Sequence, residues 1–552
     1  MSTKSNVLTS SQTIVKASWL PMLIIALAQI QMGFNVSAIP VSIGLIVEEF
    51  DTSPSTISTA LVVYSLAVAG LVMLGAKVGM LLGARLAFQI GVVLHGFSMA
   101  VMALSLNTAM IYQAQALAGL SAALIVPTLV VLIAHHYKGA QQAQSLGLLG
   151  AAQAGAGILA FLVVGVIGTL AGWRPSFWLI VVIAVVVFLL SFRFKPVERE
   201  KGISIDWVGA LMAAVSVSLI SIGFNNLRAW GILLASPDAP YSVLGMSLAP
   251  VMIVIGVVFG QGFFAWSHRR QGQGKSPLLA LEVLDTPQER AATYCLFIIA
   301  AIGPAVNFLI PLYIQIVQGG TSLQTSLTVI PYSMAIFFGT AMIVRLFDRL
   351  TPRWIGRMGF FVVAVGLVML AFAIRNDWDT PLVILSLIIL GLGEGALLTL
   401  VFNVLVSASP KKLAGDVGAL RGTTNNLATG LGTAFASVLA VTLLGILVLS
   451  SLSQSPVLPP EVIEETMDLD NIDFVSNDQL EEVLEETDLT PVQEAAVIAI
   501  NIEARLQALK ISFLALACVS ILAIIPAGGL PGYEPEEIPD DVGQEPAKQV
   551  NS

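Results

Sequence analysis

Glu394 is an acidic side chain inside a long apolar run, in the segment Gly391-Leu-Gly393-Glu394-Gly395. A carboxylate placed in hydrocarbon costs roughly 3 kcal/mol or more unless it faces a cavity or carries a proton. The chemistry open to such a group is reversible proton binding, because a low dielectric disfavours the charged form of an acid. Its flanking glycines would let another helix or a ligand approach closely. Glu394 is therefore expected either to couple proton movement or touch a solute, or to stay protonated and bond a neighbouring helix. Gln31, Asn35, Tyr64, Gln115, Asn307, Tyr313, Gln315 and Asn403 are polar positions within other apolar runs. They are candidates to line a cavity, and bonding of helix to helix explains such residues equally well.

Several other chemistries have no support. In the first 200 residues the acids are Glu48, Glu49, Asp51, Glu198 and Glu200, all at the ends of runs or in loops. No Lys or Arg is read deep within a run, which argues against a dedicated anion site. His95 stands alone and reads as a packed core residue, and His135 and His136 have no Cys or carboxylate beside them to make a metal site. Cys295 and Cys518 fall in separate runs, so neither a disulfide nor a metal cluster is implied. Without a nucleophile, base or metal constellation, neither an enzyme nor a cofactor is expected.

The elements that hold these residues follow from composition. The chain has 552 residues, of which 56% are hydrophobic and 11% charged, against roughly 45–50% and 25% for soluble domains. Fourteen apolar runs long enough to span a bilayer recur, including 381–406 around Glu394, 424–450 and 511–529. Lipid cannot satisfy backbone polar groups, so these runs must be helices. An all-α membrane protein is expected. With both termini cytoplasmic, 21 of the 26 Lys and Arg fall on that side, the exceptions being Arg174, Arg228, Arg375, Arg505 and Lys510. The first run lacks a small-residue cleavage site and reads as an anchor. The net charge of −9 resides in the loops and gives no nucleic-acid signal.

The runs divide as six, two and six. A cytoplasmic segment 1–17 precedes an N-terminal bundle at 18–193; two extra helices with basic flanks occupy 194–290; a second bundle covers 291–529. Gly75 to Arg85 and Arg345 to Arg353 sit at equivalent places in the two bundles, as in a parallel repeat enclosing a central cavity. Within the second bundle an external acidic hairpin, 451–510, is expected, since residues 451–500 carry thirteen Asp and Glu and no Lys or Arg. It reads as a solvated hairpin, a cation-attracting vestibule or a docking site for a protein partner. Thr490-Pro-Val-Gln493 has the form of a capping box opening a helix toward the last run. The acidic tail 530–552 reads as disordered and cytoplasmic.

Ordered motifs along nearly the whole chain resemble the fourteen-helix drug:proton antiporter family of the major facilitator superfamily. Tyr64 stands where that family has W…Y, with Ala60 at the Trp position; Gly172-Trp173-Arg174 and Phe177 match GWR..F; Asp206-Trp207-Val-Gly209 matches DW.G. Pro311-Leu-Tyr313-Ile-Gln315 through Pro331 follows the family's LP.YLQ…LP stretch, and Gly415 to Ala434 resembles its glycine-rich opening of span 13. The resemblance implies a major facilitator fold in the cell (inner or plasma) membrane of a bacterium. It further implies a monomer, surrounded by membrane lipids, that exports small lipophilic compounds in exchange for protons. It also implies a cytoplasmic latch formed by Lys77, Gly83 and Arg85 in the first half and Asp348, Arg349 and Arg353 in the second.

The departures mark a divergent member with degenerate motifs in its N-terminal half. Gln31 replaces an acid, Met80 and Leu81 replace the latch Asp and Arg, Gln115 replaces an Arg, and GP..GG survives only as Ala160-Phe161-Leu-Val-Val164-Gly165. Half of the latch is then missing, and a shifted conformational balance or a slow cycle is expected. The solute would be largely apolar and neutral or weakly cationic, bound through dispersion and exclusion of water. An uncoupled facilitator or lipid transporter, and a non-transporting scaffold or sensor, are the rival readings.

Overall fold

The computed structural model describes residues 17–532, apart from 53, 198, 200–203, 237–238, 320–321, 347–348, 377–379, 456–479, 481–483 and 485–489. Its long helices are α1 (Leu20–Phe50), α2 (Pro54–Leu82), α3 (Ala84–Ala103), α4 (Thr108–His136), α5 (Gly139–Ala171), α6 (Arg174–Ser191) and α7 (Trp207–Trp230). They continue as α8 (Leu248–Gly272), α9 (Pro287–Leu312), α10 (Ser322–Leu346), α11 (Pro352–Ala373), α12 (Thr380–Ala408), α13 (Ala414–Ser453) and α14 (Pro491–Leu522). Thirteen hold apolar stretches long enough to cross a membrane; in α10 the apolar stretch is the shorter Leu327–Ile343. A two-residue β-hairpin, Ser242–Val243 with Met246–Ser247, joins α7 to α8.

Helix starts follow local chemistry. Asn107 caps α4 by accepting from the Met110 N–H at 2.9 Å, and Thr286 and Glu289 form a reciprocal capping box with Pro287 at the first position of α9. Asp206 caps α7 through the Gly209 N–H at 3.0 Å, accepts from the Trp266 indole of α8 at 3.0 Å and meets Arg270 at 3.4 Å. One side chain thus both starts α7 and ties it to α8. The Thr490 N–H donates to Gln493 Oε1 at 2.9 Å, and the helix that begins there runs unbroken to Leu522. Leu530 and Pro531 dock on α11, their carbonyls accepting from Arg353 Nε and N at 3.1 and 3.0 Å. Most of 451–490 and all of 533–552 lie outside the described residues.

The packing repeats. In the first half the extensively packed pairs are α2–α4, α1–α5, α3–α4 and α3–α6; in the second they recur as α10–α12, α9–α13, α11–α12 and α11–α14. The repeat reaches single residues: a Cβ on Gly119 would strike the Tyr64 carbonyl, and a Cβ on Gly391 the Tyr332 carbonyl, at 2.5 and 2.6 Å. Counting three residues on from each glycine, Glu394 of α12 corresponds to Ala122 of α4.

Because the spanning helices alternate in direction, residues 17 and 532 lie at one end of the bundle, the near end. The halves meet there through α13 against α2 and α4, and through α5 against α10 and α12. Gly418 packs on Pro127, Gly415 on Met80 and Val131, Gly422 on Val72, and Gly150 on Thr340. Large apolar side chains such as Leu170, Val182, Leu189, Val258 and Phe372 are exposed on the outer surface, the pattern expected where lipid is the solvent.

Candidate functional site

Farther from the near end the two halves enclose two adjoining cavities. One, of about 310 Å³, is lined from α9, α10 and α12 by residues that include Asn307, Thr340, Glu394 and Phe402. The other, of about 230 Å³, is lined from α1 and α2 by Gln29, Gly33, Tyr64 and neighbours. Gln153, Arg421, Asn425 and Thr429 line both, so one partition of polar side chains from α5 and α13 divides a central space.

Glu394 is held by close packing. Gly391 and Gly395 admit the α10 backbone, since a Cβ on either would collide with the Tyr332 or Ile336 carbonyl, and Gly393 sits against Gly359 and Val363 of α11. The approaching group on this face is therefore α10, and it brings the Tyr332 hydroxyl, which donates to Glu394 Oε2. Gly303 of α9 completes the recess, because a Cβ there would overlap the Glu394 carboxylate. Among the described residues no Lys, Arg or His pairs with Glu394. A carboxyl with a hydroxyl donor, a cavity in front of it and no countercharge can exchange a proton with whatever fills that cavity.

Of the eight polar candidates read from sequence, Tyr64 and Asn307 line the cavities. The structure directs the others elsewhere. Gln31 Nε2 meets His95 Nδ1 at 2.9 Å, and Asn35 and Gln115 exchange amide hydrogen bonds at 3.0 and 3.1 Å, all within the buried first bundle. Gln31 and Gln115, amides where the resembled family carries charges, each bond a different neighbour on another helix, Gln31 to His95 and Gln115 to Asn35. Tyr313 donates to the Arg375 carbonyl at 3.0 Å, Gln315 donates to Thr325 at 3.2 Å, and Asn403 accepts from Ser407 at 3.2 Å.

Arg421 corrects the expectation that no basic residue lies deep in a span. The glycine- and threonine-rich start of α13 is too polar to register as an apolar run, so hydropathy places the span from 424, whereas the helix begins at Ala414. Arg421 is thereby two turns inside the bundle, its guanidinium 4.1 Å from the Phe402 ring centre. The signal was present in Leu420-Arg421-Gly422-Thr-Thr-Asn425-Asn426, an arginine followed by a polar face at helical spacing. Arg505, also read as external, is buried in α14 beside the Ile316 carbonyl.

The residues expected to form the latch have the following partners. Lys77 of α2 donates to Asp416 of α13 at 2.9 and 3.2 Å, both residues are buried, and Asp416 also accepts from the Ala280 N–H at 3.0 Å. Arg85 instead donates to the Phe194 carbonyl at 3.1 Å, inside the first half, beside the turn where Gly83 adopts φ +84°. Arg353 holds the chain at 530 and 531, Arg349 is exposed, and Asp348 lies outside the described residues. At the far end Trp173 and Arg174 both donate to Glu49, and that guanidinium holds the Glu49 carboxyl below the usual carboxylate range. The GWR motif thereby clasps α6 to α1.

Known proteins are similar to this chain in sequence and in fold. The chain is 23% identical over 428 residues to the puromycin resistance protein pur8 of Streptomyces alboniger, covering 75% of this chain and 80% of that one. It is 24% identical over 423 residues to the multidrug efflux pump LfrA of Mycolicibacterium smegmatis, covering 76% and 80%. Among solved structures, the human organic anion transporter MFSD10 superposes with a TM-score of 0.56 at 12% identity, covering 92% of this chain and 98% of that one. The proton:xylose symporter XylE gives 0.53 at 14% identity, covering 94% and 97%. At such identities these structures speak for the fold. The Major Facilitator Superfamily model matches residues 25–433, and the chain belongs to that superfamily: it is a multi-pass transporter of small molecules in the cell's inner membrane, not an enzyme.

Proposed function

We propose that this transporter exports small, largely apolar compounds through the divided cavity, and that Glu394 exchanges a proton with the substrate during the cycle. The observation that carries this reading is the placement of Glu394: a carboxyl in the cavity wall, held by the Tyr332 hydroxyl and lacking a cationic partner among the described residues. Export is favoured by the relatives named for drug efflux and puromycin resistance. In this reading the near end is cytoplasmic, 18–193 and 291–529 rock against each other around the cavity, and 194–290 packs beside α2 and α13. Lys77 and Asp416 act as the cytoplasmic gate in place of the motif lost at Met80 and Leu81. The protein works as a monomer among membrane lipids, with the acidic segment 451–510 outside the cell.

Uptake of puromycin and other lipophilic compounds into inside-out vesicles, measured with and without an imposed pH gradient, tests direction and coupling together. Accumulation that depends on the gradient supports the proposal; accumulation indifferent to it supports an uncoupled facilitator. The latter reading is favoured by one observation, that Ala122 occupies the position equivalent to Glu394 and leaves the first half without an acid in its cavity wall.

A further inference from the structure

We propose that Arg421 receives an anionic group of the substrate, so that the cavity takes lipophilic compounds ending in a carboxylate or another singly charged acid. This rests on the reading that the divided cavity binds the transported compound, and names its substrate class. Arg421 lies seven residues beyond Ala414, about 10 Å along the helix axis at 1.5 Å per residue, and lines both cavities. Among the described residues it has neither a carboxylate partner nor a hydrogen-bond acceptor; its close neighbour is the ring of Phe402.

The acids that could neutralise it are engaged elsewhere. Asp416, on the same helix, binds Lys77 and the Ala280 N–H. Glu394, in the same cavity, accepts from Tyr332. An uncompensated guanidinium at the centre of a membrane protein is costly, and the structure retains it where space for a ligand adjoins. Stacking on an aromatic ring engages the face of a guanidinium and leaves its edge, where the five N–H donors lie, for a planar acid group. Asn425 and Thr429 follow at i+4 and i+8 on the same helical face, and Gln153 stands across from them, adding amide and hydroxyl groups. Leu296, Ala300 and Ile336 supply apolar wall for the body of such a molecule.

A matched series tests the assignment with purified full-length protein: 2-naphthoate, 2-naphthamide and 2-naphthylmethylammonium, which share one ring system and differ in charge. Binding measured by calorimetry at pH 7 is expected to favour the carboxylate over the amide by about 10- to 100-fold, the contribution of a bidentate charge-assisted pair. R421Q should erase that preference, weakening naphthoate binding far more than naphthamide binding. R421K, which keeps the charge and loses the fork, should retain part of it. The wild-type ranking stands whether or not a variant folds. Equal or weaker binding of naphthoate than of naphthamide to the wild type, or a preference that survives R421Q, would overturn the proposal. Failure of proteoliposomes to transport any of the three, with the carboxylate preference intact, would remove the export reading and leave the Arg421 assignment standing.

Discussion

Removing Lys77 while keeping Asp416 separates gating from folding. The two residues belong to opposite halves and are buried, with Nζ 2.9 Å from Oδ1 and 3.2 Å from Oδ2. Taking away one member of a buried ion pair leaves an uncompensated charge and costs about 3–5 kcal/mol. If the near end opens, Asp416 faces water, so the cost falls on the closed state alone. About 3 kcal/mol carries a 99:1 preference for the closed state to near parity. The assay uses a background in which Cys295 and Cys518 are replaced by Ser, with one cysteine at Val131 beside the gate or at Asn307 in the cavity wall. Maleimide labelling from each side of the membrane is then timed. Lys77→Met should speed labelling at 131, and at 307 from the near-end side, by about tenfold or more and slow labelling at 307 from the opposite side, and exchanging the two charges by Lys77→Asp with Asp416→Lys should restore part of the original pattern. Unchanged labelling at both positions in Lys77→Met, even with a lowered unfolding temperature, would refute the gating role.

Three further outcomes follow from the same contacts. Gly395→Leu should destabilise the α10–α12 pair by about 2 kcal/mol or more, because its side chain would have to displace the Ile336 carbonyl; an unfolding midpoint equal to wild type would contradict the close approach. Tyr332→Phe removes the hydroxyl that donates to Glu394, and should shift the pH dependence of transport without abolishing substrate binding, measured by transport between pH 5.5 and 8.5; an unmoved profile would exclude this bond from coupling. Glu49→Gln should lower stability slightly at pH 7, by less than about 1 kcal/mol for so exposed a pair. Since Arg174 depresses the folded-state acidity of Glu49, the pair stabilises above the unfolded carboxylate range and is lost as pH falls through the lower folded value. The gap between wild type and Glu49→Gln in thermal midpoint should therefore close below about pH 4, and a gap that widens on acidification would count against the clasp.

The helices were legible because lipid permits few other structures for a long apolar run, and the capping signal at Thr490 is met in the structure. What each polar residue faces was not legible. Gln31, Asn35 and Gln115 stand in spans just as Tyr64 and Asn307 do, yet they bond one another or His95 across helices, while Tyr64 and Asn307 meet the cavity. Sequence fixes the type of a side chain and leaves open which neighbouring helix will satisfy it. Arg421 escaped because hydropathy marks where a helix becomes apolar rather than where it starts, and α13 starts ten residues before its apolar run. The Lys77–Asp416 pair joins residues 339 apart in sequence, a pairing that no local motif encodes. Glu394 stood out because a lone acid in an apolar run has so few physically acceptable settings.

Proton release on substrate binding tests the coupling role of Glu394 most directly. Purified protein in weakly buffered solution is mixed with saturating puromycin, a weak base whose binding beside Glu394 favours loss of the carboxyl proton, and the pH change is read for the wild type and for Glu394→Gln. The expected result is acidification by the wild type and none by Glu394→Gln, with binding retained in both. Equal proton release from the two proteins would contradict the assignment of coupling to Glu394.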